Sequence, residues 1–407
     1  MRTRLLQLAA AAMALATATS AGAQTVQERL DTLEKKVEEQ RQGLANALGI
    51  DIHGLVAVDY LYDFNKPDSR KDQLILFNED ANSFTLNQAN LNLQRNKEDE
   101  SFGFLMDLDF GKTAEIVGRS TRWDNSFDDC PTPPCDSSES KNSFELRQAY
   151  LTYKVPFGDG ITLKAGKFVT LAGAEVIKSY NSFNYTVSNS ILFGFAIPFT
   201  HTGIMASFPM GEYFAADLGL VNGWDDVVDN NDGKSLHAGL SIKPADKFTV
   251  YLTGTYGPEQ KDNGKSKRAL VTALVTAKPL DNLTLILDAN WASESDVVPQ
   301  PDGGLDSALW YGFAGYVIYA PTERLSLTFR TEVFDDSDGV RTGFQQAPFG
   351  PGATIWEITP SVTYEITKGL LWRTEYRHDE ADKQVFEKQN RVQRGQDTVA
   401  TELLYAF

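Results

Sequence analysis

The chain has 407 residues, with 38 Lys and Arg against 55 Asp and Glu and a formal net charge of −17. Such an acidic balance excludes nucleic-acid binding, which needs a basic face, and suits divalent cations or cationic solutes. Beyond residue 24 no run approaches the about 18 apolar residues of a membrane-spanning helix, so a helical inner-membrane protein is excluded as well.

Residues 1–23 read as a secretory signal. Arg2 and Arg4 precede an apolar stretch from Leu5 to Ala16, and Ala21-Gly22-Ala23 offers a small-x-small cleavage site before Gln24. The alternative is an N-terminal membrane anchor. No Cys follows the stretch, so a lipoprotein is not expected. Residues 24–48 are a separate element. Val26, Leu30, Leu33, Val37, Gln40, Leu44 and Ala47 follow an a/d heptad pattern, which predicts an amphipathic helix. It is either a short periplasmic coiled coil joining copies of the chain as a trimer, or a helix packed at the mouth of the next domain. Gln40 at a core position weakens such a seam.

From residue 50 the period changes from 3.5 to 2. Ile52, Gly54, Val56, Val58 and Tyr60 alternate with polar or small residues, as do Leu283, Leu285, Leu287, Ala289 and Trp291, and Leu370, Trp372 and Tyr376. Each such run is a strand with one apolar and one wet face. Short turns, among them 156–160, 244–247, 279–282, 321–324 and 367–369, alternate with longer polar connections at 63–82, 112–142, 223–234, 257–267, 292–307, 335–353 and 379–396. A β-sandwich lacks that alternation; a transmembrane antiparallel β-barrel has it. The expected strands run near 50–62, 83–95, 101–111, 143–155, 160–169, 200–208, 213–222, 235–242, 248–256, 268–277, 283–291, 308–319, 325–334, 354–364, 370–378 and 397–407. They make about sixteen strands over 50–407, with fourteen or eighteen as alternatives. An even count puts both ends on the periplasmic side.

Two aromatic girdles are expected. Tyr153, Tyr319, Tyr364, Trp372 and Tyr405 lie near short turns, and Tyr60, Tyr62, Phe110, Tyr256, Trp291 and Phe334 near long connections. An internal repeat pairs Ser83–Leu91 with Ser143–Leu151. Both copies switch apolar parity at Gln-Ala, which predicts either a β-bulge or upper Phe and Leu residues packed inward. Cys130 and Cys135 flank Pro-Thr-Pro-Pro; with no His nearby, a local disulfide is expected rather than a metal site.

The last strand carries Val399, Thr401, Leu403, Tyr405 and Phe407 on one face. The terminal Phe407 resembles the outer-membrane assembly signal of bacterial porins. Further stretches extend the likeness: Gln148-Ala149-Tyr150-Leu151, Lys164-Ala165-Gly166-Lys167-Phe168, the run from Gly173-Ala174-Glu175 to Asn184, Ser188–Phe193, His201-Thr202-Gly203-Ile204 and Val221–Asp226. Over residues 50–407 the chain resembles the OmpL-like β-barrel porins. The resemblance implies a channel for small solutes in the outer membrane of a Gram-negative bacterium. Its partners would be outer-membrane lipid and lipopolysaccharide, small hydrophilic solutes and ions, and the assembly machinery. It implies no cofactor and supplies no particular solute.

A lumen sixteen strands wide is too large for its own side chains to fill. The segment 170–199 links the fifth and sixth strands, where general porins place their pore-narrowing loop. Glu175, Lys178, Asn181 and Asn184 are its candidate constriction residues if it folds inward; the alternative is an external loop. Lys164, Arg147, Arg330, Arg373 and Arg377 fall on wet strand faces, as do Asp107, Asp109, Glu332 and Glu375. They either set a transverse field across a gap or pair with one another. The acidic connections favour a weak cation preference. Asp229–Gly233 partly resembles a calcium loop but lacks its closing Glu, so bridging to lipopolysaccharide or simple solvation is preferred. His53, His201, His237 and His378 sit in no nucleophile motif, so no enzyme is expected; His201 reads as a girdle or wall residue. A surface adhesin or receptor, or a substrate-specific uptake channel, are the remaining alternatives.

Overall fold

The computed structural model describes residues 49–96, 100–120, 143–343 and 352–407. The expected signal segment 1–23, the coiled-coil helix 24–48 and the Cys130–Cys135 pair lie outside the described residues. Among the described residues there are eighteen strands: β1 Asp51–Asp63, β2 Ser83–Arg95, β3 Phe102–Phe110, β4 Phe144–Val155, β5 Ile161–Val169, β6 Thr200–Met210, β7 Phe214–Val221, β8 Ser235–Ala245, β9 Phe248–Gly257, β10 Arg268–Leu280, β11 Leu283–Pro299, β12 Leu305–Thr322, β13 Leu325–Asp336, β14 Ala353–Thr367, β15 Leu370–Ala381, β16 Phe386–Lys388, β17 Arg391–Gln393 and β18 Gly395–Ala406. Sixteen of them close an antiparallel barrel in sequence order, with β18 between β15 and β1. The small β16–β17 hairpin stands apart in the last external connection.

Closure satisfies the backbone all the way round, which hydrocarbon demands. At the seam Leu55 faces Ala406 and Asp63 faces Thr398. Phe407 and Gly54 exchange two backbone hydrogen bonds of 3.0 Å. A Cβ on Gly54 would lie 2.4 Å from the Phe407 ring, so the terminal aromatic needs a glycine beneath it.

Alternation places Val58, Leu163, Leu218, Leu252, Leu287, Phe329, Trp372 and Leu403 on the exposed outer surface. Tyr153, Tyr319, Tyr364 and Tyr405 near the short turns, and Phe110, Tyr256 and Trp291 near the long connections, are exposed as girdle residues should be. Phe334 is the exception: it shares the parity of Arg330 and Glu332 and is fully buried inside. The expected 292–307 loop shrinks to 300–304 because β11 and β12 extend past their predicted ends. The 112–142 connection begins with helix α1, Lys112–Ser120.

The Gln-Ala parity switch is a bulge in β4. Asp107 pairs with Gln148 and Leu108 with Leu146, so Arg147 is the extra residue. Glu145 and Arg147 are therefore both buried, while Phe144 stays exposed. In β2, Asn87 and Gln88 are both buried while Phe84 and Leu86 face out. The upper Phe and Leu residues do not pack inward.

The interior is not simply wet. Leu74 and Phe77 from the first external connection, Ile116 and Val117 from α1, Ile191–Phe193 and Phe199, and Trp310, Tyr316, Phe334 and Ile355 from the wall form one buried apolar cluster. Its driving force is removal of apolar surface from water. Ion pairs bind the first connection to α1: Lys112 lies 2.9 Å from both Asp80 and Glu115, and Arg119 2.8 Å from Glu79.

Candidate functional site: a segment held inside the barrel

The segment 170–199 runs through the barrel interior. An irregular chain buried there must have its amides and carbonyls satisfied, and inward-facing side chains of the wall do this. Carboxylates take its amides. Glu375 accepts from Val187 and Ser188 at 2.6 and 3.0 Å. Glu332 accepts from Ile191 and Leu192 at 2.6 and 3.0 Å, the free amides opening the π-helical turn Leu192–Ala196. Ser190 completes that cap by accepting from Phe193 at 3.0 Å. Asp288 accepts from Ala174 at 2.9 Å.

Guanidiniums take the carbonyls. Arg147 donates to Lys178 O at 2.6 Å while pairing with Asp107 at 2.5 Å and Asp109 at 3.3 Å. Arg330 donates to Ser188 O at 2.7 Å and pairs with Glu175 at 3.0 Å and Glu357 at 2.9 Å. Arg373 donates to Asn184 O and Thr186 O at 2.7 and 3.0 Å and pairs with Glu402. Arg377 donates to Asn189 O at 2.7 Å and pairs with Asp379 at 2.7 Å. All four arginines are buried, so charge-assisted bonds replace the water they lose.

Within the segment, Glu175 also accepts from Tyr316, Asn189 and Ser190 at 3.1, 2.9 and 2.8 Å. Lys178 reaches Glu402 at 2.6 Å. Asn184 exchanges two 2.9 Å bonds with the Val176 backbone, which closes an internal loop. Asn181 is exposed at the turn and accepts from Ser179 at 3.0 Å. Tyr180 stacks on His53 with 3.9 Å between ring centres. Phe77, Phe193 and Phe199 meet at centroid distances of 5.3 to 5.7 Å. A cavity of about 120 Å³ lies beside them, lined by Arg147, Gln148, Thr170, Glu175, Ser179 and Phe193 among others.

The candidate charges thus do not all play one part. Arg147, Arg330, Arg373, Arg377, Glu332 and Glu375 grip the segment itself instead of facing it across a gap. Asp107 and Asp109 support Arg147. Lys164 stands apart: its Nζ lies 4.7 Å over the Tyr150 ring and 5.3 Å over Phe168. The wall around it is milder. Asp217 there accepts from Ser207 at 2.5 Å and Tyr251 at 3.0 Å, and Ser207, Asp217, Ser241, Thr249 and Tyr251 are partly exposed. His201 is a buried wall residue, with its ring centre 4.3 Å from that of His237.

Sequence reasoning missed Glu402, Glu357, Asp288 and Trp310, whose indole donates to Ala196 O at 3.1 Å. A signal existed for the last. β12 carries Trp310 and Tyr316 on the face opposite Tyr311 and Phe313, so neither of its faces is wet and something apolar must lie inside. At the outer end, burial pushes the Asp225 carboxyl up to about 6, although it accepts from Phe199 and Thr200 at 2.8 Å each. Asp229 and Asn231 spend side-chain oxygens on the amides of Asn231 and Gly233, and Asp229 pairs with Lys234.

A closed sixteen-strand barrel with an apolar exterior is the architecture of the outer-membrane porins. The family model "Putative beta-barrel porin-2, OmpL-like" matches residues 49–407, and the chain belongs to that family. It is an outer-membrane channel of Gram-negative type. No curated protein matches the chain. Among solved structures, the outer membrane channel DcaP of Acinetobacter baumannii is similar at 13% identity over 88% of this chain and 97% of that one, with a TM-score of 0.59. An anion-selective porin from Comamonas acidovorans is similar at 11% identity over 88% and 99%, TM-score 0.56. OmpT of Vibrio cholerae is similar at 12% identity over 88% and 97%, TM-score 0.53.

Proposed function

We propose that the chain is a channel for passive diffusion of small hydrophilic solutes and ions, weakly cation-preferring, whose bore is set by the segment 170–199. It carries out no catalysis. The observation that carries this reading is that the wall holds the segment inside the barrel by its backbone, through Glu332, Glu375, Arg330 and Arg373. Cation preference rests on the net charge of −17. In the same reading residues 1–23 are removed on export, and 24–48 join three copies as a coiled coil. Cys130 and Cys135 form a disulfide, Phe407 is read by the assembly machinery, and the acidic connections meet lipopolysaccharide through divalent ions. OmpT of Vibrio cholerae has a trimer form, which favours the threefold assembly here. The apolar packing of Phe77, Phe193, Phe199 and Trp310 inside the barrel favours a second reading, a substrate-specific uptake channel.

The test is planar-bilayer conductance in a salt gradient. Stepwise conductance with a reversal potential of cation sign is expected. Anion preference overturns the selectivity, and no conductance in any solute overturns the channel.

A further inference from the structure

Arg147, Arg330, Arg373 and Arg377 each have a carboxylate and a backbone carbonyl. Arg341, in the external connection after β13, does not. Its Nε donates to Phe195 O at 2.7 Å, but among the described residues no carboxylate oxygen lies within 4.0 Å of it. The guanidinium carbon sits 4.9 Å from the Trp224 ring centre and 5.4 Å from that of Trp310. Arg268, at the external end of β10, lies over the same Trp224 ring at 4.7 Å. Glu294 takes the Nε and Nη2 of Arg268 at 2.8 and 2.6 Å, and Nη1 has no partner among the described residues. The Trp224 indole N–H is buried and has no partner among the described residues.

The nearby acids are in part engaged: Glu294 is taken by Arg268, Glu259 accepts from the Trp224 amide at 2.6 Å, and Asp336 keeps Oδ1 without a partner among the described residues. Asp225 Oδ1 accepts from Phe199 and Thr200. Asp336 Oδ2 accepts from the Arg341 and Thr342 amides at 3.1 and 2.8 Å. Two guanidiniums over one indole repel each other, and burial together with Arg268 brings Arg341 down to about 10. Arg341, Arg268 and the Trp224 indole thus lie together at the outer end of the lumen, and among the described residues Nη1 and Nη2 of Arg341, Nη1 of Arg268 and the indole N–H have no hydrogen-bond partner. A guanidinium fork matches the two oxygens of a carboxylate or phosphate.

We propose that Arg341, Arg268 and the Trp224 indole N–H form a binding site, at the external end of the barrel interior, for the oxyanion of a small organic solute. The site gives the channel an entry station for carboxylate- or phosphate-bearing solutes. It rests on the channel reading only for its role in transport, because binding is measured without conduction.

The full chain, purified in detergent, is titrated with sodium acetate and separately with sodium phosphate at constant ionic strength, by calorimetry and tryptophan emission. Saturable binding of one or both is expected, and the tighter of the two assigns the oxyanion. Arg341→Gln weakens it about tenfold or more, the loss of a charge-assisted pair. Trp224→Phe, which keeps a ring and removes the N–H, weakens it less. Arg324→Gln, in an exposed short turn, binds as the parent does. If Arg341→Gln fails to fold, Arg341→Lys, which keeps the charge and loses the fork, carries the test. No saturable signal from the parent, or a folded Arg341 variant that binds like the parent, overturns the site even if the channel conducts.

Discussion

Two walls of the same barrel treat the interior in opposite ways. The wall of β1–β4, β11, β13, β15 and β18 presents Asp107, Asp109, Arg147, Asp288, Arg330, Glu332, Arg373, Glu375, Arg377 and Glu402, all buried. The wall of β5–β9 presents Ser207, Asp217, Ser241, Thr249 and Tyr251, partly exposed, with Lys164 beside them, and buries only Lys167, His201 and His237 among its charged and imidazole groups. The charged wall is the one covered by the segment 170–199; the mild wall is the one left beside it. Charge inside a barrel therefore need not mean a charged pathway. Here it supplies hydrogen bonds to a chain that has little secondary structure to satisfy it, and each guanidinium or carboxylate does what a paired strand or water does elsewhere.

Removing a grip tests the charged wall hardest. Arg330→Ala leaves Glu175 buried without its ion-pair partner and Glu357 with only Arg377 at 4.0 Å, which costs about 3–5 kcal/mol. Thermal unfolding in detergent, followed by circular dichroism, is expected to show a marked loss of stability. An unchanged transition means the segment is held by apolar packing alone and the contrast between the walls is false. On the mild wall Asp217→Asn keeps one acceptor oxygen, and the hydroxyl that meets the new amide nitrogen can turn to accept from it, so stability stays within about ±0.5 kcal/mol. The reversal potential shifts slightly away from cations. A large destabilisation there shows that the two walls do not divide the work.

Much of this was legible beforehand. The strand starts at 83, 200, 235, 248, 268, 283, 325 and 370 follow from period-2 alternation between turn residues, and the structure places them there. The bulge at Arg147 was visible as two apolar parities on either side of Gln148. Other features were not, for physical reasons. Glu402 binds Lys178 across 224 residues of sequence, and no local pattern encodes such a partner. Phe334 read as a girdle residue because it is aromatic and near a strand end; only its parity with Arg330 reveals that it faces inward. The wet faces identified the charges but not their targets, since a guanidinium that lines a water path and one that holds a carbonyl look alike in sequence.

Single-channel conductance of a chain lacking residues 178–190 tests the central claim most directly. The excision removes the carbonyls held by Arg147, Arg330, Arg373 and Arg377 together with the amides held by Glu375. A folded, heat-modifiable barrel with a conductance well above the parent's is the expected result. A folded barrel whose conductance equals the parent's would mean that the segment does not set the bore.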